Sequence, residues 1–217
     1  MLESKRIRKL LRRQRPLVRA YFSYRYLRRD PYGSQNRGEK ERVKKALSLV
    51  AGTAASDALE IGCGEGYGAR LLAQVATEVL AIDISGTAIR RAKRLHRACQ
   101  NLTFERADFL TAPLTSSAYD LVYCSEVLYY LEPELLKPAC RKIVDLLKPQ
   151  GRLLLVHHRT LRDDTSGTMD KSFGAKTIHD AFAGLPELGL EKDLLEPHYR
   201  ITLFRRLAVS GKGKAMP

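Results

Sequence analysis

Several features that would place a chain in a special structural class are missing from this 217-residue sequence. No apolar run reaches the ~18 residues of a membrane-spanning helix, and no apolar segment of a secretory signal follows the basic start. The four cysteines lie far apart, so neither a disulfide framework nor a cysteine metal site is indicated. We therefore expect a cytoplasmic protein without a transmembrane segment or a bound metal, although an Arg-rich start also fits an organellar transit peptide.

Positive charge is concentrated at one end of the chain. The formal net charge is +14, yet residues 1–29 alone contain eleven Lys or Arg and one acid, Glu3, while the remainder has 27 basic and 23 acidic residues. Such an arm is most often a solvated extension, and attraction to nucleic acid or anionic lipid is the alternative. We divide the chain into a basic helical arm (1–29), one α/β domain (30–207) and a flexible tail (208–217).

Beyond the arm, short apolar runs alternate with segments of helical periodicity. Strands are predicted at 58–61, 79–82, 102–107, 119–124 and 153–157. Two later apolar runs, 190–195 and 201–207, have no helix between them, which favours an antiparallel hairpin. The pattern indicates an α/β fold with a mostly parallel seven-stranded sheet, helices on both faces and an antiparallel last strand.

A glycine-rich turn, Glu60-Ile61-Gly62-Cys63-Gly64-Glu65-Gly66, directly follows the first strand. Glycines there let the chain turn sharply and let a ligand approach the backbone. Asp83 ends the second strand, where a carboxylate can accept hydrogen bonds from ribose hydroxyls or, alternatively, cap a helix. NAD and S-adenosylmethionine both fit this pair, because Gly64, Gly66 and Ala69 also satisfy a dinucleotide-binding pattern.

The sequence at the ends of the next strands distinguishes between these two candidate cofactors. Ala107-Asp108-Phe109 ends the third strand, residues 119–131 form the fourth strand and the loop beyond it, and residues 146–152 close the helix before the fifth. This ordered set resembles the class I S-adenosylmethionine-dependent methyltransferases across roughly residues 55–160. The resemblance implies the Rossmann-like methyltransferase fold and S-adenosylmethionine as the cofactor.

The resemblance also implies a role for each part of the cofactor site. Residues 60–66 would wrap the methionine part, Asp83 would hold the ribose, and Asp108 would bind the adenine amino group. Tyr32 lies in a loop between two glycines and is a candidate for a flap over the cofactor. The residues predicted to bind the cofactor are Tyr32, Glu60, Gly62, Cys63, Gly64, Gly66, Asp83, Ile84, Asp108, Phe109 and Ser125.

A narrower resemblance covers more of the chain. Asp30-Pro31-Tyr32, Glu39-Lys40-Glu41-Arg42 and residues 125–131 resemble the nodulation-protein-S type of N-methyltransferase, which methylates the free amine of a deacetylated chito-oligosaccharide. His157-His158-Arg159 and Thr177-Ile178-His179 are similar to relatives that accompany sugar-amide deacetylases. This implies methyl transfer to an amine, or a hydroxyl, of a small molecule such as an amino-sugar.

Methyl transfer from a sulfonium is an in-line displacement, so the enzyme needs precise positioning and at most one base. His157 is expected at the carboxyl end of the fifth strand, facing the acceptor. Glu126 could orient an amine or merely cap a turn, and Tyr129 could equally be a core aromatic. The predicted catalytic residues are Glu126, Tyr129, His157 and His179.

Two other functions stay open. An RNA or protein methyltransferase could use the basic arm to hold a polyanion, and Tyr21, Phe22 and Tyr24 beside arginines could stack bases. Against a base-amine methylase, no Asn-Pro-Pro-Tyr type of motif follows the fourth strand. A non-catalytic relative that only binds the cofactor is the third possibility. The acceptor and the oligomeric state are left undecided.

Overall fold

A computed structural model describes residues 15–28, 30–33, 36–52, 55–159 and 174–208. The first half of the predicted arm and nearly all of the predicted tail lie outside these ranges. The helices are α1 (residues 15–25), α2 (Arg37–Ser48), α3 (Tyr67–Leu72), α4 (Gly86–Leu95), α5 (Leu136–Leu146) and α6 (Ala175–Ala183). The strands are β1 (Ala55–Ile61), β2 (Ala76–Asp83), β3 (Leu102–Arg106), β4 (Tyr119–Ser125), β5 (Leu147–His158), β6 (Leu188–Leu195) and β7 (Tyr199–Arg206).

The seven strands form one sheet in the order β3-β2-β1-β4-β5-β7-β6. Strands β1 to β5 pair in parallel, whereas β7 lies antiparallel between β5 and β6. The predicted fold, its antiparallel last strand and the β6–β7 hairpin are therefore confirmed. The strand order reverses between β1 and β4, and ligands of open α/β sheets bind at such a reversal.

Successive side chains of each strand point to opposite faces of the sheet, so a separate apolar layer forms on each face. In β4, Val122 and Cys124 pack into the layer that α5 and α6 cover, whereas Leu121 and Tyr123 pack into the layer beneath α2, α3 and α4. All four side chains are at most 2% exposed. Since both faces are covered, the carboxyl ends of the strands are the part of the sheet open to a ligand.

The main difference from the predicted elements is the start of β5. Residues 146–152 were expected to close the helix and the fifth strand to begin at 153, but β5 begins at Leu147 and contains an irregularity. Gln150 has φ 68°, and a Cβ at Gly151 would lie 2.9 Å from the Tyr119 carbonyl oxygen. This bulge breaks the two-residue alternation, so the pattern did not reveal the first part of the strand.

None of the helices in the described ranges is both long enough and apolar enough to span a bilayer.

The turn after β1 depends on a glycine that has no space for a side chain. Gly62 has φ 77°, a left-handed conformation, and a Cβ built there would overlap the Val127 side chain. Val127 is β-branched and cannot rotate away easily. The close approach of Gly62 and Val127 therefore fixes the turn after β1 against the loop after β4.

We expect Gly62→Ala to destabilise the protein more than Gly52→Ala. Gly52 has a similar φ of 78°, but no described atom lies within 4 Å of a Cβ there, so its substitution costs only backbone strain, about 1 kcal/mol. Overlap with Val127 adds about 1–3 kcal/mol at Gly62. Chemical denaturation of both variants measures the difference, and equal losses of stability would show that the turn tolerates a side chain.

Candidate active site

A cavity of about 460 Å³ opens at the carboxyl ends of the parallel strands. Its walls are the turn after β1, the ends of β2, β3 and β4, and the facing sides of α1 and α2. This volume is typical of a small-molecule site. The predicted residues that line it are Tyr32, Glu60, Gly62, Cys63, Gly64, Asp83, Ile84, Asp108, Phe109, Ser125, Glu126 and Tyr129.

Three predicted residues are not part of this lining. Gly66, at the N-terminus of α3, lies against Phe104, whose ring would be 2.6 Å from an added Cβ. His157 and His179 are fully buried between β5 and α6. His158, the neighbour of His157, lines the cavity instead.

Asp83 joins the end of β2 to the turn after β1. Its two carboxylate oxygens accept hydrogen bonds from the backbone amides of Gly64, at 2.9 Å, and Ser85, at 2.7 Å. Burial raises the pKa of Asp83 to about 6, and these two hydrogen bonds oppose the rise. Because each carboxylate oxygen has more than one lone pair, Asp83 can still accept hydrogen bonds from ligand hydroxyls.

Glu60 provides a buried acceptor on the cavity wall. It is 4% exposed, and its Oε2 has no hydrogen-bond partner within the described residues. Burial, together with the nearby Asp83 carboxylate, raises the pKa of Glu60 to about 8. A buried polar atom without a partner is costly, so this position suits a ligand that brings a cationic or hydrogen-bond-donating group. The methionine part of S-adenosylmethionine, which has an ammonium group, meets that requirement.

Asp108 is engaged by a residue that the sequence did not point to. Arg15, in α1, donates from Nε to Oδ2 at 2.5 Å and from Nη2 to Oδ1 at 2.9 Å. The side chains of Arg15 and Asp108 are 8% and 0% exposed. The resemblance assigns this carboxylate to the adenine amino group. An adenine bound there has to share the Asp108 oxygens with Arg15 or displace it.

Glu126 lies at the centre of a second polar cluster, just after β4, with φ 60°. Its Oε1 accepts a hydrogen bond from the His158 backbone amide and lies 3.2 Å from Nη1 of Arg42, and its Oε2 accepts one from the Tyr129 hydroxyl. Arg42, in α2, is 7% exposed and also pairs with Glu39. Arg42 belongs to the Glu39-Lys40-Glu41-Arg42 motif, but its place in the site was not predicted.

His157 and His179 form a buried pair behind Tyr129. Nδ1 of His157 lies 3.2 Å from Nε2 of His179, and Nδ1 of His179 lies 2.6 Å from the Thr202 hydroxyl. Burial, and then the charge of Arg200, lower the pKa of His179 to about 3, which keeps it neutral. The rings of His157 and Tyr129 meet edge to face, with centroids 5.5 Å apart. The histidines therefore contact the cavity wall rather than the cavity.

Two tyrosines in the segment after α1 cover the glycine turn. A Cβ at Gly64 would lie 2.6 Å from the Tyr26 hydroxyl, and the Tyr26 and Tyr32 ring centroids are 5.4 Å apart. The buried Tyr32 hydroxyl has no hydrogen-bond partner among the described residues. Tyr32 thus offers a polar atom to a ligand, as a flap residue would.

We expect Glu60→Gln to change how the stability of the protein depends on pH. The raised pKa means that folded Glu60 holds its proton up to about pH 8, whereas the unfolded chain releases it near its ordinary value. The contribution of Glu60 to the free energy of unfolding is therefore complete at low pH and is lost as the pH rises towards 8. Relative to wild type, Glu60→Gln should become more stable between pH 5 and pH 8.5 by up to about 4 kcal/mol.

Glu191→Gln is the matched control for this measurement. Burial opposes a low pKa at Glu191, but hydrogen bonds from Arg152 and Arg205 lower it. Glu191 is consequently ionised across the whole interval, and its loss should weaken the protein by the same amount at both pH values. Parallel stability curves for wild type and Glu60→Gln would show that Glu60 is not the buried acid described above.

Comparison with known proteins identifies the family of the chain. Residues 58–151 match a family described as methyltransferase domain. Nodulation protein S of Azorhizobium caulinodans is 30% identical over 154 residues, covering 69% of this chain and 72% of that protein. Phosphoethanolamine N-methyltransferase 1 of Triticum aestivum is 29% identical over 121 residues, covering 54% of this chain but only 24% of that enzyme.

A solved structure gives the same result for the fold. The N-methyltransferase NodS from Bradyrhizobium japonicum WM9, in complex with S-adenosyl-L-homocysteine, superimposes with a TM-score of 0.75 at 25% identity, covering 86% of this chain and 97% of that one. Both the predicted cofactor and the predicted enzyme class are confirmed. The chain belongs to the class I S-adenosylmethionine-dependent methyltransferases, close to the nodulation protein S type.

Proposed function

We propose that this enzyme transfers a methyl group to the amine of a small molecule, with an amino-sugar or a deacetylated oligosaccharide as the first candidate. The observation that carries the proposal is the Glu126 carboxylate on the cavity wall, held by Arg42, Tyr129 and the His158 amide. A carboxylate is the group that best attracts and orients an ammonium ion. Two of the proteins named above, the enzyme of Triticum aestivum and NodS of Bradyrhizobium japonicum WM9, are N-methyltransferases, which also supports an amine acceptor.

In this proposal the cofactor site holds S-adenosylmethionine through residues that fit its parts. Bound S-adenosylmethionine supplies an activated methyl group on a sulfonium. Glu60 accepts hydrogen bonds from the ammonium of the methionine part, and Asp83 accepts them from the ribose. Asp108 and the Phe109 backbone take the adenine, with Arg15 close by.

Glu126 has a second role in this proposal, which is to remove a proton from the acceptor amine. An amine that enters as an ammonium has to lose a proton before its nitrogen can attack the methyl carbon. Glu126 accepts that proton first. The lone pair left on the nitrogen then forms the nitrogen–carbon bond as the carbon–sulfur bond breaks, which leaves S-adenosylhomocysteine. Arg42 and Tyr129 keep the carboxylate in one orientation, which is the positioning that an in-line transfer needs.

His157 and His179 act as positioning residues in this proposal. Since neither lines the cavity, they reach the acceptor through Tyr129, whose ring packs against His157. The chain of contacts continues from His179 to Thr202 and to Asp193, whose Oδ1 accepts a hydrogen bond from Thr202 at 3.0 Å. The neutral His179 holds the ring of His157, and the packing of that ring keeps Tyr129 in place.

We also propose that the enzyme acts in the reducing cytoplasm, because all four cysteines are thiols: Cys63, Cys99, Cys124 and Cys140.

The proposed acceptor class can be tested by transfer of labelled methyl groups. We expect turnover with deacetylated chito-oligosaccharides and none with their fully N-acetylated forms, which lack a free amine. Phosphoethanolamine and RNA are the competing acceptors. Glu126→Gln keeps the shape but cannot take a proton, so it should lower kcat by roughly 100-fold or more while calorimetry shows unchanged binding of S-adenosylhomocysteine.

Three results would contradict this proposal. Methylation of RNA with no methylation of any small amine would move the enzyme to another substrate class. Full activity of Glu126→Gln would remove Glu126 from the proton transfer. Binding of S-adenosylhomocysteine without turnover of any of these acceptors would favour a non-catalytic relative.

The positioning role of His157 predicts that two variants differ in kcat but not in cofactor affinity. His157→Leu removes the polar ring and should lower kcat by roughly tenfold, with cofactor affinity unchanged. His157→Asn returns a polar atom near the Nδ1 position and should recover part of that loss. Steady-state kinetics and calorimetry separate the two quantities. If both variants lose cofactor affinity and melting temperature together, His157 has a purely structural role.

A further inference from the structure

Helix α1 is apolar on two opposite faces. Its inner face contributes Val18, Phe22 and, just beyond its end, Tyr26 to the cavity wall. Its outer face has large apolar side chains at positions i, i+4 and i+7, which lie along one side of a helix, and the turn just after the helix adds one more. These are Leu17, Tyr21, Tyr24 and Leu27, with exposed fractions of 71, 42, 65 and 66%.

This outer stripe is not ordinary surface composition. A helix on the surface of a globular protein normally turns charged or polar residues outwards. Pro16 and Ala20 are also exposed on this face, and Arg25 reaches its edge, where it donates a hydrogen bond to the Tyr21 hydroxyl at 3.0 Å. A contiguous exposed stripe of this kind, unlike single exposed residues, marks a surface that binds something.

Basic residues surround the stripe. Arg19, Arg25 and Arg28 lie on or beside α1, and the arm as a whole has eleven basic residues against one acid. Arg91 of α4 donates hydrogen bonds to the Leu27 and Arg28 carbonyl oxygens, at 3.3 and 2.9 Å. Helix α4 thereby extends the basic surface, with exposed side chains at Arg90, Lys93 and Arg94.

We propose that the outer face of α1 docks this enzyme onto the surface of an anionic lipid bilayer. A helix with leucines and tyrosines on one side and arginines along its flanks lies in the plane of the interface, where the apolar side chains enter the acyl boundary and the basic ones meet phosphate head groups. Tyrosine is suited to this boundary, because its ring is apolar and its hydroxyl stays in contact with water.

Charge argues against a second copy of the chain, and the apolar stripe argues against nucleic acid. A second copy of the chain would bring two strongly positive arms together, and like charges repel. Nucleic acid would match the charge and could stack on tyrosines, but it offers no apolar environment to Leu17 and Leu27. The lipid surface is the partner that accounts for both the stripe and the charge.

Docking would also place the cavity at the membrane, because the opposite face of the same helix forms part of the cavity wall. The proposal concerns where the enzyme binds and does not depend on which amine it methylates.

Flotation of the full-length protein with vesicles tests the proposal. We expect binding to vesicles that contain phosphatidylglycerol, little binding to phosphatidylcholine alone, and weaker binding at high salt. Leu17→Gln/Tyr24→Gln keeps the charge and removes the apolar stripe, so it should lower vesicle affinity by roughly tenfold or more. The control is Leu190→Gln/Leu195→Gln on β6, where the two leucines are 59% and 53% exposed.

Circular dichroism and S-adenosylhomocysteine binding check that both double variants are folded. Equal vesicle binding by wild type and Leu17→Gln/Tyr24→Gln would overturn the proposal, as would a loss of the same size in the β6 control. Failure of the wild-type protein to bind anionic vesicles would overturn it too. In that case, a dimer that Leu17→Gln/Tyr24→Gln dissociates would identify a second copy as the partner, and RNA binding that this variant retains would identify a polyanion.

Discussion

The hydrogen bond from the Gly64 amide to the buried Asp83 carboxylate is the contact on which the active site depends. It joins the turn after β1 to the end of β2, and two further bonds, from the Gly62 and Cys63 amides to the Ile82 carbonyl oxygen, join the same segments. These strand ends lie next to the reversal of strand order, so the turn is held where the sheet opens. Burying two acids side by side costs stability, as the raised pKa values of Asp83 and Glu60 show. Acids kept in such a position at a cost to stability are typical of a functional site.

A buried ion pair attaches α1 to this site. Removing a guanidinium and a carboxylate from water is expensive, and two short hydrogen bonds between Arg15 and Asp108 offset much of that cost. Such a pair adds little net stability, but it fixes one arrangement, because neither partner is well accommodated elsewhere in an apolar environment. The described part of the basic arm is thus a helix packed on the domain by Arg15 and Tyr26, and its charge lies beside the cavity.

Much of the fold and part of the site followed from short stretches of sequence. The turn at residues 60–66 and the acid at Asp83 could be found because each directly follows a strand, and parallel strand ends meet at one edge of the sheet. Arg15 could not be found, since it is 93 residues from Asp108 and only the packing of α1 brings them together. The two histidines of β5 illustrate another limit of prediction from the sequence. Neighbouring residues of a strand point to opposite faces, and nothing in the sequence told which of His157 and His158 would face the cavity.

The distribution of charge inside the cavity bears on what it can bind. Asp108 pairs with Arg15 and Glu126 with Arg42, whereas within the described residues neither Glu60 nor Asp83 has a basic side chain at ion-pair distance. The protein as a whole is strongly basic, so its outer surface repels cations, and yet its cavity contains these two acids, which burial holds towards their protonated forms. A ligand that brings its own positive charge makes each acid easier to ionise once it binds. Under the proposed function, selectivity for a cationic ligand therefore comes from these two acids rather than from the outer surface.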